Sequence, residues 1–165
     1  MDYLWSPWRY RYVTSGAEVP ESGDPCLFCR VAAENDDRGN YIVLRGERNF
    51  VMLNRFPYTT GHLLIAPYEH VSTLEEAHTE TMEELIRLAQ RMEGALRRIY
   101  HAGGFNLGFN IGQAAGAGIA GHIHMHVMPR WHGDTSFVTT IGETRVLPEA
   151  LETTYQRVSE ALREK

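Results

Sequence analysis

No stretch of this chain is apolar for long enough to cross a bilayer. The least polar segment, Phe105 to Ala120, is broken by Asn106, Asn110, Gln113 and several glycines. Met1 to Tyr12 holds Asp2, Arg9 and Arg11 among aromatics and lacks the apolar centre of a secretion signal, so no membrane partner and a cytoplasmic location are expected. Positive charge is not in excess either. The net charge of -5 withholds the general attraction for nucleic acid that comes from neutralising phosphates, so no nucleic-acid partner is expected. Cysteine is scarce. Cys26 and Cys29 stand as Cys-Leu-Phe-Cys, a spacing that reads as metal or redox chemistry rather than a disulfide framework, although two thiolates alone do not complete a zinc site.

With 165 residues, 43% of them hydrophobic and 22% charged, the chain suits one soluble domain with one core. Met1 to Arg11 is an aromatic and basic arm, and Thr14 to Pro25 is a polar loop rich in turn formers. Strands are expected over Tyr41 to Arg45, Phe50 to Asn54 and His62 to Ala66. From Thr79 to Tyr100 the apolar residues Met82, Leu85, Ile86, Ala89, Met92, Leu96 and Ile99 recur at threes and fours, which predicts a long amphipathic helix stopped near Gly103 and Gly104. Alternation predicts another strand over Phe105 to Ile111, antiparallel to one that carries His122, His124 and His126. A last helix is expected from Pro148 to about Leu162. Strands in runs around one central helix point to an α+β domain with a largely antiparallel sheet.

The informative run is Gly121 to Arg130, Gly-His-Ile-His-Met-His-Val-Met-Pro-Arg. His122, His124 and His126 at a spacing of two share one face of a strand, with Ile123, Met125 and Val127 on the other. Three in-phase imidazoles point to metal or phosphate chemistry. For phosphate chemistry, a neutral imidazole can attack phosphorus and later leave, splitting one displacement into two. The flanked His124 is then the natural nucleophile, and His126 is placed to assist the departing group. Just upstream, Gly112 to Gly121 supplies small residues whose backbone N–H groups can approach phosphate oxygens, although no lysine follows as in a P-loop.

The pattern from His122 to Met128 resembles the histidine triad signature of the HIT superfamily of nucleotidyl hydrolases and transferases. Leu53-Asn54-Arg55-Phe56-Pro57 and Gly61-His62-Leu63-Leu64-Ile65-Ala66-Pro67 are similar to that family's preceding strand pair, and the likeness covers roughly Cys26 to Trp131. It implies a HIT fold of about five antiparallel strands with one long packed helix, to which this chain adds a C-terminal helix. One domain over 1–165 is expected: an arm and loop over 1–25, the HIT core over 26–131 and a C-terminal extension over 132–165. A homodimer with a continuous sheet is also implied.

The same resemblance implies a nucleotidyl-histidine intermediate on His124, assistance at the scissile bridge by His126, a ribose contact at Asn54 and a phosphate-binding turn containing Asn110, Gly116, Ala117, Gly118 and Ile119. Gly118 stands where the fragile histidine triad and histidine triad nucleotide-binding branches usually place Gln. By contrast, Leu4-Trp5-Ser6-Pro7-Trp8-Arg9, Gly104-Phe105-Asn106-Leu107-Gly108 and Pro129-Arg130-Trp131 resemble the bacterial diadenosine tetraphosphate phosphorylases, which resolve the adenylyl-enzyme with inorganic phosphate rather than water. The expected function is therefore diadenosine tetraphosphate phosphorolysis. The alternatives are hydrolysis of dinucleoside polyphosphates or adenosine phosphoramidates, and a non-catalytic nucleotide-binding regulatory role. Arg130 and the basic arm are candidates to favour an anionic acceptor.

His70 resembles the position that supplies a zinc histidine in HIT relatives and galactose-1-phosphate uridylyltransferases, and His122 can supply a fourth ligand. Cys26, Cys29, His70 and His122 are thus expected to hold one structural zinc. His62 fits a supporting hydrogen bond or core packing better than catalysis.

Overall fold

Alternation along the central strands decides which residues face which helix. The computed structural model describes residues 26–135, 139, 141 and 147–163, so the expected aromatic arm lies outside the described residues. Among these are helix α1 (Leu27–Ala33), strands β1 (Ile42–Arg45), β2 (Asn49–Leu53) and β3 (Leu63–Pro67), and helix α2 (Thr79–Tyr100). Strand β4 (Gly104–Phe109), a 3-10 turn (Gln113–Ala115), strand β5 (Met125–Arg130) and helix α3 (Leu151–Arg163) follow. The strands form one sheet in the order β1-β2-β3-β5-β4, and every neighbouring pair is antiparallel.

On one face Val51, Leu53, Leu63, Ile65, Met125 and Val127 pack with Leu85, Leu88, Ala89, Met92 and Leu96 of α2 and Val158 of α3. On the other, Phe50, Met52, Leu64 and Ala66 pack with Phe28 and Val31 of α1. The period of two thus sends alternate residues of one strand to opposite layers. α2 spans the expected residues, and His101 ends it in the left-handed region while its N–H donates to the Arg97 carbonyl. Ile86, expected on the buried stripe, is instead 51% exposed, and Leu88 and Ala95 are buried.

α3 begins at Leu151, three residues past Pro148. α1 was not foreseen, because a seven-residue helix shows too little periodicity to be read and depends on tertiary packing for its stability.

The turn between β1 and β2 is fastened to α2 by one carboxylate. Glu84 accepts hydrogen bonds from the Glu47 and Arg48 backbone N–H groups at 2.7 and 2.8 Å and from Asn49 Nδ2 at 2.7 Å. Gly46 fits beneath it because a Cβ there would lie 2.7 Å from Glu84 Oε1.

β5 is shorter than expected. Its ladder with β3 runs only from Leu63↔Val127 to Ile65↔Met125, so only His126 of the triad lies within the strand. His122 and His124 occupy the lead-in, where the Ile123 N–H donates to the Val71 carbonyl at 2.7 Å. The side-chain alternation survives: Met125 and Val127 are buried in the α2 layer, Ile123 is buried as well, and the rings of His122 and His124 lie against Phe28 of α1.

Candidate functional site

The three histidines are buried, and each is held in one tautomer by its partners. His122 donates from Nε2 to the Pro67 carbonyl at 3.0 Å, which leaves the Nδ1 lone pair available. That Nδ1 lies 3.3 Å from Cys26 Sγ and 3.6 Å from Cys29 Sγ, and Cys29 Sγ lies 3.3 Å from His70 Nδ1. All four donor atoms fall within 4.8 Å of one another. A tetrahedral zinc with bonds of about 2.0–2.3 Å requires ligand atoms roughly 3.3–3.8 Å apart, the range of these three close pairs, and two thiols with two imidazoles are the donor chemistry that ion takes. Burial, and then the adjoining Cys26 thiol, push the Cys29 thiol up, a strain that a cation between two sulfurs relieves. Burial lowers His122 to about 4 and keeps it in the neutral form that ligates metals.

His124 has the opposite polarity. A carbonyl can only accept, so His124 donates from Nδ1 to the His122 carbonyl at 3.0 Å and its Nε2 keeps a lone pair. Phe28 from α1 covers the ring at a centroid distance of 4.7 Å. Burial lowers the pKa of His124, so the ring is neutral near pH 7.

His126 is set by a relay. The Tyr58 backbone N–H donates to His62 Nδ1 at 3.1 Å, so His62 carries its proton on Nε2 and donates to His126 Nδ1 at 2.9 Å. His126 must then carry its proton on Nε2. Burial, and then the nearby His124, lower His126 to about 4. The His124 and His126 ring centroids are 5.0 Å apart. One ring therefore offers a lone pair and its neighbour an N–H.

Asn54 lies at the end of β2, where its Oδ1 accepts the Phe56 N–H at 2.9 Å and its Nδ2 lies 3.3 Å from His62 Nδ1. It is thus a turn-forming residue that also touches the relay. The glycine-rich segment is ordered by a 3-10 turn. Gly112 and Gly116 have φ of 77° and 84°, a region open to glycine, and the Ala117 N–H turns back to the Gly112 carbonyl at 3.3 Å. Ile119 packs against the Phe28 cluster, bringing the segment that contains Gly116, Ala117 and Gly118 over the α1 layer. Asn110 lies between the end of β4 and Gly112.

Arg130 is engaged elsewhere: it grips both Asp134 oxygens, and its NH1 donates to Asn106 Oδ1 at 2.7 Å. Its charge is matched locally by the Asp134 carboxylate.

The structure therefore brings together the four expected metal ligands and gives His62 the supporting hydrogen bond expected of it. Phe28 and Tyr58 escaped sequence reading. Phe28 sits between the two cysteines and Tyr58 four residues before His62, but neither spacing signals a contact across the fold.

A zinc-type donor set tied through one histidine to a neutral imidazole with a lone pair and a neighbouring N–H donor, on a five-stranded antiparallel sheet, is the arrangement of a histidine triad protein. The chain belongs to the HIT domain family, which matches residues 36–133. Among its relatives is AP-4-A phosphorylase of Mycobacterium tuberculosis, 37% identical over 158 residues, covering 92% of this chain and 79% of that protein. A Zn-bound histidine triad family protein from Mycobacterium smegmatis superposes with a TM-score of 0.70 at 31% identity, covering 85% of this chain and 94% of the other. A hypothetical histidine triad nucleotide-binding protein from Sulfolobus tokodaii superposes with a TM-score of 0.68 at 27% identity, covering 84% and 92%. No helix among the described residues is long and apolar enough to cross a membrane.

Proposed function

We propose that this protein is a nucleotidyltransferase that cleaves diadenosine tetraphosphate by phosphorolysis through an adenylyl group carried on His124. The observation that carries the reading is the pair of opposed tautomers: the Nδ1–H of His124 is tied to the His122 carbonyl, and the proton of His126 is forced onto Nε2. The likeness to an AP-4-A phosphorylase over most of the chain supports the substrate class.

In the first step the His124 Nε2 lone pair forms a bond to the α-phosphorus. The bond from phosphorus to the bridging oxygen breaks, and the electron pair leaves on that oxygen as ATP, which needs no proton at neutral pH. The His126 Nε2–H hydrogen-bonds the developing charge. The His122 carbonyl stabilises the positive ring of the adenylyl-histidine. In the second step an oxygen of inorganic phosphate attacks the same phosphorus, the P–N bond breaks, and its electron pair returns to His124, giving ADP. In this reading Asn54 holds the ribose, while Asn110 and the Gly116, Ala117, Gly118 and Ile119 turn cradle the phosphate.

Cys26, Cys29, His70 and His122 would hold one zinc, which with four protein ligands is structural and leaves no position for water. The zinc bound by the histidine triad family protein from Mycobacterium smegmatis supports this assignment.

Product analysis tests the function. Diadenosine tetraphosphate should give ADP and ATP only when phosphate is present, and His124→Asn should lose about 10⁴-fold or more in turnover while still binding nucleotide. AMP and ATP without phosphate would identify a hydrolase. Binding without turnover by the unmutated protein would identify a nucleotide-binding regulatory role.

A further inference from the structure

Cys26 and Cys29 are the only cysteines of the chain. Their sulfurs and one ring nitrogen each of His70 and His122 form a cluster in which no two of these atoms are more than 4.8 Å apart. One side of the cluster opens to solvent. His70 is exposed, as is its contact with Cys29 Sγ, whereas the contact from Cys26 Sγ to His122 Nδ1 is half-buried. A dissolved oxidant therefore reaches Cys29 without the fold opening. Four ligands make this a metal site, and the neighbouring sulfurs give it a second chemistry, because two thiolates side by side can be oxidised to a disulfide.

Phe28 and His122 link the pair to the triad. Cys26 caps α1 and Cys29 lies three residues on, so the two bracket one helical turn with Phe28 inside it. The Phe28 ring lies 5.1 Å from the His122 ring and 4.7 Å from the His124 ring. His122 is the second link: its Nδ1 faces the sulfurs, and its carbonyl accepts the Nδ1–H of His124 at 3.0 Å. Residues three apart on a helix hold their Cβ atoms about 5–6 Å apart, whereas a disulfide draws them to about 3.5–4.5 Å. Closing the bond thus tightens the turn that carries Phe28.

We propose that Cys26 and Cys29 are a reversible oxidation site for peroxides, a thiol–disulfide switch that empties the metal cluster and loosens the hold of Phe28 and His122 on His124. The control of turnover rests on the reading of His124 as nucleophile, and the oxidation site itself does not. A thiol on a metal is deprotonated, so each sulfur already carries an electron pair for attack. The Cys29 sulfur attacks one oxygen of hydrogen peroxide, the O–O bond breaks, and hydroxide leaves and takes a proton from solvent, giving a sulfenic acid on Cys29. The Cys26 sulfur then attacks the Cys29 sulfur, the S–O bond breaks, and a second hydroxide leaves and is protonated. Two thiolates have lost two electrons, and one peroxide with two protons has become two waters. Only His70 and His122 then remain of the four ligands that a structural zinc takes, and the site releases the ion. A dithiol reductant returns both electrons and restores the thiols.

The test uses the full-length protein with its zinc bound. Hydrogen peroxide is added in steps, and three quantities are read in the same samples: free thiols titrated in denaturant, zinc released to a chromogenic chelator, and phosphorolysis of diadenosine tetraphosphate after catalase has removed the peroxide. Both thiols should disappear as one zinc per chain appears, and turnover should fall about tenfold or more. Dithiothreitol with added zinc should restore turnover to within about twofold, which separates the cysteines from methionines, whose sulfoxides need dedicated reductases. Circular dichroism of the oxidised protein should keep the helical signal, because α2 packs in the other layer of the sheet.

Thiols that survive excess peroxide with zinc retained would overturn the oxidation site, as would oxidation to sulfinic acid that the dithiol cannot reverse. Disulfide formation and zinc loss with turnover unchanged would overturn the link to His124 and so the switch. Loss of the helical signal would overturn it too, by replacing a local change with unfolding. Failure of the reduced, zinc-loaded protein to turn over the dinucleotide is seen before any peroxide is added; it would overturn the adenylyl-transfer reading and the control of turnover with it.

Discussion

At the scale of single residues, three identical side chains differ because their hydrogen-bond partners differ. His122 faces a carbonyl with Nε2, His124 faces one with Nδ1, and His126 faces the proton of another histidine. The spacing of two in the sequence already placed the rings in one layer. It could not assign protons, because those follow from the Pro67 carbonyl and the Tyr58 N–H, groups that every residue type carries and that only the fold brings near. Arg130 shows the same limit: its charge was plain in sequence, and the Asp134 carboxylate that matches it was not.

Replacing His62 by Phe keeps a ring in place but frees His126 to take either tautomer. It should lower kcat by about 10²-fold with a smaller change in KM, measured by steady-state kinetics. The folded protein holds His126 at about 4, below the ordinary histidine value of about 6.5. A depressed pKa means that the neutral ring stabilises the fold above pH ~6.5, and that this contribution is lost as pH falls toward about 4. The reaction needs the His124 lone pair, and burial lowers His124 as well, so the acid limb of kcat/KM for the dinucleotide should lie below the ordinary histidine value of about 6.5. A limb centred near 6.5 would contradict the burial of this ring.

At the scale of elements, α2 was readable because 22 residues repeat their apolar positions many times, whereas the seven residues of α1 do not. α1 nonetheless carries Phe28 against His124 and lies beside the metal-type cluster, so the least visible helix supports the site most directly. Protein purified without added metal should carry close to one zinc per chain, and His70→Ala should reduce that content, as read by elemental analysis.

Glu84 makes a second link that no pattern announces, since its partners are two backbone N–H groups and an amide about 36 residues away. Glu84→Ala should cost about 1–2 kcal/mol, lowering the melting temperature by roughly 3–6 °C. It should leave turnover unchanged.

At the scale of the whole molecule, the two edges of the sheet are treated differently. β1 is covered by α3, with Tyr41 packed edge-on against Tyr155, whereas β4 has no partner on its outer side among the described residues and exposes Leu107 at 42%. An uncovered edge with an apolar residue is a template for another strand. We propose that two chains pair there, as the family resemblance implies. Light scattering should show a dimer for the unmutated protein and a monomer for Leu107→Lys. The strand inventory and antiparallel pairing were foreseeable from alternation, while the ladder between β3 and β5 ends at Ile65↔Met125, earlier than the histidine pattern promised, although β3 itself runs on to Pro67 beside β2.

The insertion of β5 between β3 and β4 also governs when the protein becomes competent. His126 pairs with Leu64, 62 positions earlier, and its ring waits on a proton from His62. Contacts of such separation close late, because loop entropy must be overcome before they form. A nascent or refolding chain can therefore build α2 early and still lack the paired rings of His124 and His126. Recovery of turnover should lag recovery of helical circular dichroism, so that activity reports completion of the sheet rather than the onset of structure.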